Sequence, residues 1–327
     1  MPSFNAHYFF ANQELDFIKK TFPDVKINEP ALYYGAQGPD LMYFARLAPV
    51  IMPGKSLMDV GDKLHEANPT LILTAMRNYF RENPNDDIAK SFMIGFICHY
   101  TLDRNAHPFV YSIEDKIYFD GHENWDRTWI HNVIEHQFDS WVIRKYTDFE
   151  KANKYKGYSP ITKEKEVFEG INRAVMYITP RVTDVDLEKI DPLAGYHGAK
   201  DTYTIMHILQ DSSGAKYKLM GGVVDKTIGK KQGPLGTCFF VPSEPLSDYD
   251  YFNDAHNEWS EPKNPEFKST DSLEDIFNNA YKDLEEILPK FAACLTDDDY
   301  DIYSITEDMG FDTTLKNPRC ENPVIPM

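Results

Sequence analysis

Apolar residues recur at helical spacing along most of the chain. In ANQELDFIKKTF, Leu15, Ile18 and Phe22 fall on one side of a 3.6-residue turn. EPALYYGAQGPDLMYF is apolar at both ends but carries Gly35, Gly38 and Pro39 between them, so the chain should bend there. NPTLILTAMRNYFREN predicts a helix with Asn68 as N-cap and Pro69 at the first helical position. NDDIAKSFMIGFICHYTLDRNAH opens on acidic residues suited to a helix N-terminus and is apolar nearly all round, the pattern of a central buried helix. ENWDRTWIHNVIEHQFDSWVIRKY predicts another long helix, apolar at Trp129, Ile130, Val133, Ile134, Phe138 and Trp141, and KEKEVFEGINRAVMYI a third. LEDIFNNAYKDLEEILPKFAACL predicts a long C-terminal helix interrupted near Pro289. Residues 214–268 have a different texture, rich in Gly, Pro, Asn and Asp, with β-like runs at YKLMGGVV and GTCFFVP. This segment is expected to be an irregular, partly β insertion with a small hairpin, lying over the helical body. The expectation is a mainly α, multi-helix bundle forming one domain over residues 1–327.

Composition narrows the picture. An apolar fraction of 42% and an aromatic fraction of 14% are enough for a sizeable core. The net charge of −18 disfavours steering toward long nucleic acid, although bound metal ions would make a local cationic site. Cys98, Cys238, Cys294 and Cys320 are far apart and show no CxxC spacing, so they read as free or buried thiols. The N-terminal stretch lacks a basic segment followed by a long apolar run, and no uninterrupted apolar run approaches the ~18 residues of a membrane span. A cytoplasmic protein without a transmembrane segment is therefore expected. The oligomeric state is left open.

Candidate chemistry lies on two polar stripes. His99, Asp103 and His107 are spaced by four, and four residues turn about 400°, so the three share one face of the central helix. His131, Glu135 and Asp139 repeat the spacing in the next long helix. A lone histidine on an apolar helix is usually a satisfied core residue. Two stripes of imidazole and carboxylate are different, because burying them unpartnered costs several kcal/mol per charge, roughly. Facing helices with such stripes are a recurrent way to build a metal site, and zinc favours these donors. Asp40 in GAQGPDLMYF, His65 in GDKLHEANP and His7 in FNAHYFFAN are weaker candidates taken singly.

With these motifs, the sequence resembles the bacterial zinc-dependent phospholipase C family, related in fold to the S1/P1 nucleases. The resemblance is carried by FNAHYFFA, GAQGPDLMYF, KLHEAN, GFICHYTLDRNAHPFVY and HNVIEHQFD, and returns weakly at YFNDAHNEW and in the C-terminal helix. It implies one zinc on Asp40, His65, His99 and Asp103, and a second on His107, His131 and Glu135. It implies a third on Asp103 and His7. In the secreted relatives that third ion is also held by a processed N-terminal Trp, whereas this chain begins Met-Pro-Ser, so two or three zinc ions are expected. Asp139 is expected either to orient a ligand histidine or to pair with a neighbouring helix, and His136 to face elsewhere. His256 is a candidate for closing the cleft, and His122, His197 and His207 have no evident partner.

Adjacent zinc ions activate water and clamp phosphoryl oxygens, so hydrolysis of a phosphodiester is implied, with Asp40 or Asp103 accepting the water proton. A phospholipid is the implied substrate, and a choline head would favour an aromatic wall, for which Tyr33, Tyr34, Phe109 and Tyr111 lie near ligands in sequence. A small nucleotide or soluble phosphoester is the alternative. A non-catalytic protein that keeps zinc as a structural clasp is a further one.

Overall fold

A computed structural model of the chain describes residues 4–46, 54–185, 190–227, 233–234, 236–318, 320 and 323–325. The protein is mainly α. Its centre is a helix of 32 residues, α7 (Asp87–Tyr118), buried along most of its length from Ala89 to Ile117. Asp86 caps it, its side chain accepting the Ala89 N–H. Around α7 pack α1 (Phe4–Gln13), α3 (Glu29–Gly35), α8 (Arg127–Tyr146), α9 (Lys165–Val182) and the C-terminal α12 (Leu273–Cys294). Between α1 and α3 lies α2 (Leu15–Thr21). The bend expected at Gly35–Pro39 is present: α3 stops, Gly38–Asp40 form a 3₁₀ turn, and α4 (Leu41–Phe44) follows. The short α5 (Met58–His65) leads to α6 (Pro69–Glu82), whose N-cap Asn68 accepts the Leu71 N–H as its sequence predicts. One contiguous apolar core joins residues from Phe4 to Phe311.

The close approach of α3 to α7 rests on two glycines. A Cβ on Gly35 would lie 2.0 Å from the Phe92 carbonyl oxygen, and one on Gly95 would lie 2.1 Å from that of Leu32. No larger residue lets these backbones meet.

Several elements differ from the sequence expectation. α12 runs unbroken through Pro289. Pro289 and Glu285, whose carbonyl loses its partner, are both exposed to water, while Leu284, Ile287, Leu288 and Phe291 hold the helix to the core. A helix unforeseen in the sequence, α10 (Ala194–Leu209), packs on α9 and α4. Its glycines are contact points: a Cβ on Gly195 would lie 2.7 Å from Asn172 Cα, and one on Gly198 2.9 Å from Met42 Cε. Poor local propensity is overridden there by packing.

Neither β-like run of the insertion is a strand. YKLMGGVV forms α11 (Ala215–Met220) and a π turn at Gly221–Asp225, because Asp211 takes the Tyr217 N–H and starts a helical turn. GTCFFVP contains a 3₁₀ turn at Thr237–Phe239, where Asp225 binds the Gly236 N–H and the Thr237 hydroxyl. The small hairpin comes later: β1 (Trp259–Glu261) pairs antiparallel with β2 (Asn264–Ser269). After α12 comes the single-turn α13 (Tyr303–Thr306), and then a turn closed by a bridge between Met309 and Lys316. Cys98, Cys238 and Cys294 are buried and Cys320 is half-buried, and among the described residues no disulfide joins them. Among the described residues, no helix is long and apolar enough to cross a membrane.

Candidate metal centre

The four-residue spacing places His99, Asp103 and His107 on one face of α7, where His107 meets α8 while His99 and Asp103 meet α1, α5 and the 3₁₀ turn. Asp103 is the hub. Its Oδ2 lies 2.9 Å from His99 Nε2, and 3.8 Å from both His65 Nε2 and His107 Nδ1. Its Oδ1 lies 3.2 Å from His7 Nε2. Asp40 reaches His65 Nε2 at 3.1 Å. At the other end His107 and His131 approach Glu135 Oε1 at 3.8 and 3.3 Å.

Local structure sets each of these positions. Gly38 has φ +50°, and a Cβ there would meet the His99 ring at 2.3 Å, so only glycine lets the 3₁₀ turn carry Asp40 against that histidine. His65 ends α5, with Nδ1 2.9 Å from the Gly61 carbonyl and 3.2 Å from the Tyr43 hydroxyl. His131 Nδ1 lies 3.2 Å from Glu114, a buried carboxylate that also accepts from Arg127. His7 is placed by the start of α1, which Asp139 holds by accepting the Ala6 N–H at 2.8 Å and the Asn5 amide at 2.9 Å. Asp139 thus pairs with a neighbouring helix, the second of the two roles its sequence position offers.

All eight residues expected as ligands meet in one cluster. Three groups each offer donor atoms within 4.8 Å of one another: His7, Asp40 and His99; His65, His99 and Asp103; His107, His131 and Glu135. Several of these atoms contact each other without hydrogen bonding. Neither ring nitrogen of His99, nor Asp103 Oδ2, nor His107 Nδ1 has a hydrogen-bond partner, although all are buried. His99 Nε2 and Asp103 Oδ2 lie 2.9 Å apart without the alignment of a hydrogen bond. Buried donors and acceptors left this way are costly unless something lies between them. Imidazoles and carboxylates converging so closely fit a zinc ion.

The electrostatics agree. Burial opposes charge on His65, but the hydrogen bond and charge of Asp40, with Asp103, push it up to about 9. Burial likewise opposes charge on His131, and Glu135 with Glu114 raises it to about 9. Burial would raise Glu135, yet His131 holds it at about 2. Asp103 is held well below the usual carboxylate range despite burial, by His99, His107 and His7. The carboxylates thus draw positive charge onto His7, His65 and His131, whereas burial holds His99 below its ordinary value. A dication would satisfy the same field.

Other histidines lie outside the cluster. His136 is buried with Nδ1 3.5 Å from Asp139. His256 is exposed, its Nδ1 3.1 Å from the Thr270 carbonyl, and it joins none of the three groups. His122 stacks on Trp125, His207 on Tyr158, and His197 lies 2.7 Å from Asp191.

Two features escaped the sequence reading. One is Glu114. The other is the pair Lys263 and Asp312, which joins Tyr111, already a candidate for an aromatic wall, beside His107 and His131. Tyr33, Tyr34 and Phe109 are core residues, whereas Tyr111 is half-buried with its ring 5.7 Å from that of His107 and 5.5 Å from that of His131. Glu114 lies seven residues after His107, two turns further along the stripe, and that spacing is the signal that could have revealed it.

The chain matches the sequence profile of a family described as zinc dependent phospholipase C over residues 6–177. No curated protein and no solved structure gives a significant match. The matched span contains all eight residues of the cluster and ends before the hairpin and the C-terminal turn.

Proposed function

The chain belongs to the zinc-dependent phospholipase C family, and on that premise we propose that it hydrolyses a phosphodiester, most naturally that of a phospholipid, at the cluster centred on Asp103. The observation that carries this reading is the group His107, His131 and Glu135, three donors converging at a partly open edge, with side chains 12%, 19% and 9% exposed. A zinc held by three protein donors would keep a position open for water or substrate, the mark of a catalytic rather than a structural site. In this reading Asp40, His65, His99 and Asp103 would hold one zinc, and His107, His131 and Glu135 a second. His7 with Asp103 offers a third position. Zinc bound here supplies Lewis acidity toward phosphoryl oxygens and a water acidic enough to ionise near neutrality.

The chain's own residues do the rest. Asp40 or Asp103 would accept the proton of the attacking water, and both are buried within the cluster. Glu114 keeps His131 in the tautomer whose Nε2 faces the cluster. The whole chain acts as one domain in this reading, with the insertion's hairpin bordering the site.

The test is a metal count with an assay. Protein purified without added metal is expected to carry at least one zinc per chain and to hydrolyse a short-chain phospholipid. Asp103→Asn is expected to lower kcat/KM by at least a hundredfold, roughly. Less than one zinc per chain would sink the reading. Zinc with unchanged activity in Asp103→Asn would sink the catalytic part alone, and a dinucleotide cleaved in preference to the lipid would move the substrate class.

A further inference from the structure

The edge of the site near His107 and His131 is finished by two segments beyond the family match. One is the β1–β2 hairpin, whose connection carries Lys263. The other is the turn after α13, which carries Phe311 and Asp312. The two are stitched together: the buried carboxylate of Glu261 accepts from the hydroxyls of Thr313 and Thr314, and Asn264 donates to Thr314 at 2.9 Å. Trp259 packs the hairpin on Phe109 of α7 at 5.2 Å. Lys263 is therefore presented from a braced hairpin rather than from a free loop.

Its ammonium lies 4.2 Å from the centroid of the Tyr111 ring and 2.7 Å from Asp312. Tyr111 also donates its hydroxyl to Asp312 at 3.0 Å. The ring of Tyr111 is the aromatic surface beside His107 and His131, and Asp312 feels the charge of His107. A quaternary ammonium head group would be recognised by an aromatic face with a carboxylate behind it. Here both features are present next to the metal group, and the chain's own cation already occupies them.

We propose that Lys263 sets the head-group specificity of the site, excluding quaternary ammonium head groups and favouring substrates whose head group carries no cation, such as glycerol or inositol phosphodiesters. The inference rests on the phosphodiesterase reading for its substrate class. Lys263 acts in two ways: it fills the cation position on Tyr111 and Asp312, and it repels a second cation brought alongside. A site that rejects by built-in repulsion discriminates as well as one that attracts.

The test compares binding of phosphocholine with that of 3,3-dimethylbutyl phosphate, its uncharged isostere, to the zinc-loaded protein by calorimetry. The two ligands share shape and phosphate, so their ratio reads the response to the cation alone. The unaltered protein is expected to bind the isostere about tenfold more tightly. Lys263→Met, which keeps the stem and removes the charge, is expected to erase or reverse that preference. Adding Asp312→Asn to Lys263→Met should remove the affinity gained for phosphocholine. A preference for phosphocholine in the unaltered protein, an unchanged ratio in Lys263→Met, or binding of neither ligand would each overturn the proposal. Hydrolysis is read separately. Failure to cleave short-chain phosphatidylcholine and phosphatidylglycerol, with the binding ratio as stated, would defeat the phosphodiesterase reading and leave the cation exclusion standing.

Discussion

At the scale of single residues, the cluster is held by side chains that are not themselves donors to it. Glu114 is the clearest. Buried to 5% exposure, it hydrogen-bonds His131 through one oxygen and Arg127 through the other. It fixes both the tilt of the imidazole and which nitrogen faces the cluster. Partners of this kind are worth about 10- to 100-fold in metal affinity. Glu114→Gln is expected to weaken zinc binding by that factor while leaving the helical circular dichroism unchanged. A competition titration against a zinc chelator measures it, and an affinity equal to that of the unaltered protein would refute the role. Asp139 works at a greater remove. By taking the Ala6 N–H and the Asn5 amide it fixes the first turn of α1, and so places His7 with its ring 4.5 Å from that of His99.

At the scale of elements, the site depends on α7 starting and staying where it does. Asp86 caps this helix and is also gripped by Arg173 of α9 at 2.6 and 2.9 Å and by the Tyr79 hydroxyl of α6 at 2.7 Å. One carboxylate therefore ties three helices at one end. Burial would raise its pKa, but Arg173, Tyr79 and the Ala89 N–H together hold it below the ordinary value. A carboxyl lowered on folding contributes stability that is complete above its unfolded pKa, near about 4, and is lost as pH falls through the folded value. Asp86→Ala is expected to cost about 1–2 kcal/mol at pH 7. Urea melts at pH 7 and in acid then check the sign: the gap between the two proteins should shrink below about pH 4. A gap that stays constant across that range would contradict it. The stripe on α7 was legible from spacing because an α-helix fixes side-chain direction locally. α10 was not, because Gly195 and Gly198 lower its propensity and only their contacts with Asn172 and Met42 reveal their purpose.

At the scale of the whole molecule, the cluster joins α1, the 3₁₀ turn after α3, α5, α7 and α8. Metal bound there links segments far apart in the chain and is expected to stabilise the native state by mass action, by about 4 kcal/mol at a thousandfold excess over Kd. Chelation should lower Tm, and added zinc should restore it. A Tm indifferent to chelation would contradict this. Without metal, His65 and His131 hold their protons up to about 9, and zinc needs neutral imidazoles. Zinc binding at pH 7 should therefore release protons, and its affinity should rise from pH 6 toward pH 9. The sequence by itself determined the helical class, the limits of helices such as α6 and the start of α12, and the two stripes, since periodicity and capping are local properties of the chain. Asp40, His65 and His7 were weak candidates taken singly, and only the resemblance tied them to the stripes, since no spacing connects them. Only the tertiary structure decided that the eight residues meet, because that depends on α3 and α7 touching at Gly35 and Gly95 and on α1 being anchored by Asp139. It alone also set Lys263 and Asp312 against Tyr111. An exposed lysine in a hairpin and an aspartate in a C-terminal turn become part of a site only when long-range packing brings them to the same ring.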